Sequence, residues 1–79
     1  MGYDTIVATV QACPKQMPIE DITTLFARQG WTMTVRSSHY KFRKRGHMAF
    51  HIAARNGQYV IQDYIRDIGK RMNAQGEIQ

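Results

Sequence analysis

The sequence predicts an α+β domain of order α-β-β-β-α, with a three-stranded antiparallel sheet and its helices on one face. Three observations point to it. From Ile19 to Phe26 apolar residues recur at helical spacing, from Trp31 to Ala53 they alternate with polar ones, and after Asn56-Gly57 helical spacing returns. A chain of 79 residues allows one compact domain, because at this length only about 60% of the unfolded surface is buried on folding. It leaves no room for a cofactor domain. With 43% hydrophobic and 22% charged residues, the composition is that of an ordinary globule and not of a disordered chain. The domain is expected over residues 18–79, ending in a polar tail. Residues 1–17 form an N-terminal segment, helix or edge strand, with a Pro-bounded connector.

Tyr3, Ile6, Val7, Val10 and Cys13 stand at helical spacing, with Asp4 or Thr5 available as a cap, although the Thr and Val content equally suits a strand. Pro14 to Pro18 interrupts that element, since neither proline can donate to a continuing ladder. Pro18 then opens a helix: Glu20 and Asp21 favour its positive end, Ile19, Ile22, Leu25 and Phe26 line one side, and Gly30 ends it. In the first strand Trp31, Met33 and Val35 alternate with Thr32, Thr34 and Arg36. Ser37-Ser38 make a turn, and Tyr40 and Phe42 then alternate with His39, Lys41 and Arg43. Lys44-Arg45-Gly46 supplies a second turn before a strand setting Met48, Phe50 and Ile52 against His47, Ala49, His51 and Ala53. Ile61, Tyr64, Ile65, Ile68 and Met72 mark the last helix, and residues 74–79 read as a polar tail.

Loop length fixes register, and apolar residues must oppose apolar ones. A two-residue Ser37-Ser38 loop sets Arg36 opposite His39 and Thr34 opposite Lys41. A three-residue Lys44-Arg45-Gly46 loop would set Arg43 opposite His47, Phe42 opposite Met48, Lys41 opposite Ala49 and His39 opposite His51. Arg36, His39, Lys41, Arg43, His47 and His51 then share one open face, with the rings of His39 and His51 on neighbouring Cβ atoms about 4.5 to 5.5 Å apart.

Charge gives that face its meaning. Eleven Lys and Arg against six Asp and Glu leave a net +5, with a pI near 9.8, which suits a polyanionic partner. The stretch from Arg36 to Arg55 holds six of the cations, all three histidines and no acid. The plain alternative is a solvated strand whose charges discourage aggregation. The aromatics Trp31, Tyr40, Phe42 and Phe50 fall on the core side and read as packing.

The run Leu25-Phe26-Ala27-Arg28-Gln29-Gly30-Trp31, followed by a strand and Ser37-Ser38-His39-Tyr40-Lys41-Phe42, resembles the HicA-type toxins of bacterial toxin-antitoxin systems. Members typically have a helix ending in Gly plus an aromatic, a Gly-Ser-His turn opening the second strand, and a C-terminal helix. The resemblance covers about Ile19 to Met72. It implies a double-stranded-RNA-binding-like fold, cleavage of messenger RNA by the histidine of that turn, and neutralisation by a HicB-type antitoxin. Ser38 and His39 take the Ser-His positions, while Ser37 stands where the family usually has Gly.

RNA can be cut without metal when a base removes the 2′-OH proton, the oxygen attacks the phosphate, and an acid protonates the leaving 5′ oxygen. Histidine, with an unperturbed pKa of about 6.5, suits both roles. His39 is therefore the expected general base or acid and His51 its partner by register. Lys41 or Arg43 would stabilise the phosphorane charge. Arg36, Ser38, Lys41, Arg43, Lys44 and Arg45 are expected to bind RNA. No acidic cluster is spaced to hold Mg²⁺, so neither metal nor cofactor is expected. Two other readings use the same face: a non-catalytic RNA-binding protein or phage-encoded inhibitor, and a module docking an acidic protein. A true double-stranded-RNA-binding domain is disfavoured because Gly57 to Asp63 lacks the cations expected where such a domain begins its last helix.

The single Cys13 suits a reducing cytoplasm. No run approaches the roughly 18 apolar residues of a membrane span, and Ile6 stands where a myristoylation signal wants Ser or Thr.

Overall fold

The computed structural model describes residues 2–79 as a small α+β domain with three helices, a three-stranded antiparallel sheet and a separate two-stranded one. Helix α1 spans Tyr3–Ala12 and buries Ile6 and Val10, one turn apart, so helical spacing prevails over the local strand propensity. It ends at Cys13, whose backbone turns left-handed (φ 53°) and whose N–H donates to the Thr9 and Val10 carbonyls.

The Pro-bounded stretch is more than a connector. Gln16–Pro18 forms strand β1, paired antiparallel with β5 (Tyr59–Ile61) so that buried Met17 faces buried Val60. Pro18 closes β1, where its missing N–H leaves no gap inside a ladder. The prolines masked a three-residue strand defined only by its long-range partner.

Helix α2 (Ile19–Arg28) follows directly, its first N–H donating to the Gln58 carbonyl at 2.8 Å. Ile19, Ile22, Leu25 and Phe26 are buried as the spacing predicts. Gly30 adopts φ +86°, and Trp31 is buried beyond it.

Strands β2 (Thr32–Arg36), β3 (His39–Arg43) and β4 (Phe50–Ala53) lie in that order. Between β2 and β3 the register is the expected one, from Arg36 opposite His39 to Met33 opposite Phe42. Ser37 (φ 47°) and Ser38 (φ 67°) are both left-handed, as a type I′ hairpin turn requires. Asn-Gly meets that demand with less strain, since the left-handed well costs other residues about 1–2 kcal/mol. Ser37→Asn combined with Ser38→Gly should therefore raise unfolding stability by about 1 kcal/mol, read from the midpoint of urea denaturation.

The β3–β4 hairpin departs from expectation. Its loop is Lys44–Ala49, and the strands pair His39 with Ala53, Tyr40 with Ile52, Lys41 with His51 and Phe42 with Phe50. This is a two-residue shift from the predicted pairing. Because side chains alternate with period two, the faces are preserved although the partners change. The packing of Phe26 accounts for the choice: its ring stacks on Phe42 at 4.1 Å, lies 5.8 Å from Phe50, and meets Trp31 edge-on at 5.2 Å. Met48, predicted to face the core, is instead 81% exposed in the loop. Met33 and Val35 are also more open than their pattern implies, at 46% and 50% exposure, because β2 is an outer strand.

Asn56 (φ 53°) and Gly57 (φ 67°) form another tight turn, after which Ile61 belongs to β5 and α3 spans Gln62–Lys70. Residues 74–79, predicted as a polar tail, fold back onto the domain. Ile78 is buried and bridges Met72, and the Gln29 side chain donates to the Gly76 carbonyl while accepting from the Ile78 N–H, both at 2.7 Å. One apolar residue in a polar run carries no periodicity, so sequence pattern could not reveal it. Among the described residues no helix is long and apolar enough to cross a membrane.

Candidate nucleic-acid interface

Directly opposed residues of a sheet share a face. The observed registers therefore place Arg36, His39 and Ala53 in one row, Thr34, Lys41 and His51 in the next, and Thr32 and Arg43 in a third. The opposite face carries Tyr40, Phe42, Phe50 and Ile52, with Phe42, Phe50 and Ile52 buried in the core. Core packing thus orients the polar face: with Phe42 and Phe50 fixed against Phe26, period-two alternation turns Lys41, Arg43 and His51 away from the core.

Arg36, His39, Arg43 and His51 are exposed and Lys41 is half-buried. Among the described residues none of these five side chains is held in an ion pair or hydrogen bond; the one salt bridge, Arg66 to Asp63 at 3.2 Å, lies on α3. Their charge is consequently not neutralised within the chain. They line a hollow of about 580 Å³ whose wall is not confined to the open face: it also includes Val35, Tyr40 and Ile52, which alternate to the opposite face, and Tyr64 of α3. Tyr64, 25 positions along the chain from His39, is a contribution that no local signal in the sequence could announce.

The two-residue register shift changes the histidine geometry. His51 faces Lys41 directly and His39 only diagonally, a separation of roughly 7–8 Å in an antiparallel pair. The expected direct His39–His51 pairing is not formed. His47 also leaves the open face, because the longer loop carries it to the Trp31 ring, 5.4 Å away.

The remaining predicted binding residues divide between scaffold and surface. Ser38 is half-buried, and its carbonyl accepts from the Ala54 N–H at 2.9 Å, fixing the start of β3. Lys44 donates through Nζ to the Gln29 carbonyl at 2.7 Å, tying the hairpin loop to the end of α2. Arg45 is exposed on that loop. Arg71, which the sequence did not single out, holds the same loop by donating to the Met48 carbonyl at 2.9 Å, with its guanidinium 4.9 Å from the Phe50 ring centre.

Among the described residues no three His, Cys, Asp or Glu side chains gather as a metal-holding group. Comparison with protein-family models, curated proteins and solved structures finds no match.

Proposed function

We propose that the protein is a HicA-like, metal-independent endoribonuclease with a double-stranded-RNA-binding-like fold, acting on RNA laid across the open face of the β2–β3–β4 sheet. The observation that supports this most is the set His39, Lys41 and His51 in adjacent rows, flanked by Arg36 and Arg43 with no acid on the face. In-line displacement needs a base on one side of the phosphate and an acid on the other.

One imidazole takes the 2′-OH proton as the 2′ oxygen bonds to phosphorus. The P–O5′ bond breaks, and the other imidazolium protonates the departing oxygen. Lys41, opposite His51, is positioned to offset the negative charge that builds on the phosphorane. The reading implies a HicB-type antitoxin as protein partner.

A second reading, a non-catalytic RNA-binding protein, is favoured by the same register, since the two histidines are not direct neighbours. Incubating the purified protein with labelled RNA in EDTA separates the two. The enzyme reading expects cleavage products with a 2′,3′-cyclic phosphate end, and intact RNA would reject it. Both readings expect binding that weakens with salt, with log affinity falling by about 0.7 per phosphate contacted for each tenfold rise in salt. Salt-independent affinity would favour docking of an acidic protein instead.

A further inference from the structure

The β3–β4 loop carries cations of its own beyond the sheet. A depression of about 510 Å³ is lined by Thr32, Arg43, Lys44, Arg45 and His47 among others, with no acid in its wall. Arg43 also lines the sheet groove, so one side chain connects the two hollows.

We infer that this depression is a second backbone-phosphate subsite and that, with the sheet groove, it takes one single-stranded RNA segment several nucleotides long. The inference rests on the RNA reading proposed above. His39, Lys41 and Arg43 alternate along one face of β3, and the four residue-to-residue steps of extended strand from His39 to Arg43 cover roughly 13 Å. The loop then continues the row. A single row of cations fits one phosphate backbone. A duplex presents two backbones, and the start of α3, with Gln62 and Asp63, offers no second row.

The loop is built as a binding surface would be. None of its residues from 44 to 49 is buried, yet it is tethered at four points. The His47 N–H closes a turn on the Lys44 carbonyl at 3.0 Å around Gly46 (φ +82°), Lys44 is tied to Gln29, the His47 ring lies against Trp31, and Arg71 holds the Met48 carbonyl. A surface fixed before binding loses less entropy on taking its ligand. Arg45, exposed and without a partner among the described residues, is the subsite's accessible charge.

The test uses 2′-O-methyl oligouridylates, which cannot be cleaved, of three and eight nucleotides, beside a short RNA duplex. Anisotropy titrations over a salt series would compare the wild type with Arg45→Ala and with Lys70→Ala on α3 as a charge-loss control. The octamer should bind more tightly than the trimer. Arg45→Ala should lower the octamer's salt slope by about 0.7 and leave the trimer's unchanged, while Lys70→Ala should match the wild type in both. An octamer slope unaltered by Arg45→Ala, equal affinity for trimer and octamer, or tighter binding of the duplex would overturn the subsite while the RNA reading stands. No binding of any oligomer at low salt by folded protein would overturn both, and the trimer arm reveals which case holds.

Discussion

Replacing His39 with alanine should slow RNA cleavage by about 10²- to 10⁴-fold, the usual worth of a positioned general acid or base, while the protein remains folded. His39 is exposed on the open face and has no hydrogen-bond or ion-pair partner among the described residues, and substitutions at such sites usually alter stability by less than about 0.5 kcal/mol. Binding should fall only modestly, because Arg36, Lys41 and Arg43 remain on the face. Single-turnover rates in EDTA, together with circular dichroism of the variant, provide the check. A variant that cuts as fast as the wild type would remove His39 from the mechanism, and an outcome in which both bind and neither cuts would leave the non-catalytic reading.

Phe26→Ala should destabilise the domain by about 3–5 kcal/mol, the range for truncating a buried aromatic. Phe26 is fully buried and contacts three other core rings: Phe42 by stacking, Phe50 at an angle and Trp31 by its edge. A small domain has only about 5–15 kcal/mol in total, so the unfolding midpoint in urea should drop sharply. Phe26→Leu keeps much of the volume and should cost appreciably less. The effect should extend to function at a distance, since it is Phe42 and Phe50 against Phe26 that turn Lys41, Arg43 and His51 outward. Equal midpoints for wild type and Phe26→Ala would show that this cluster is not the anchor of the hairpin.

How far the sequence could be read depended on the range of the interactions involved. The buried side of helix α2 and the register of the β2–β3 hairpin were legible, because both follow from local rules, apolar spacing and a two-residue loop between alternating strands. The expected helix start lies one residue early, since Pro18 closes β1. The β3–β4 register was not, because a loop of three residues and one of six preserve the same faces. What distinguishes Phe50 from Met48 as the partner of Phe42 lies outside both strands: Phe26, against Phe42 and Phe50, and Arg71, which holds the Met48 carbonyl in the loop. Strand β1 and the burial of Ile78 were hidden for a related reason. Each has one inward side chain, Met17 or Ile78, and acquires its meaning from a distant partner, Val60 in one case and Gln29 with Met72 in the other.

The candidate site divided along the same line. Membership of Arg36, His39, Lys41, Arg43 and His51 in one face survived the register shift, because face depends on parity alone. The pairing of His39 with His51 did not survive it, because pairing depends on absolute register. His47 left the face once the loop lengthened. Lys44, expected as an RNA-binding turn residue, instead ties the loop to the Gln29 carbonyl, and Tyr64 and Arg71 entered the surroundings from the C-terminal third of the chain.

The claim that the open sheet face is where RNA lies is tested most directly by following backbone amide shifts of ¹⁵N-labelled protein during titration with an uncleavable RNA strand. The account predicts the largest shifts at Arg36, His39, Lys41, Arg43 and His51, extending to Arg45 and His47 and to Tyr64 in the groove wall, with α1 and the rest of α3 little changed. Shifts gathered on α3 or on α1, with the β2–β3–β4 face silent, would contradict it.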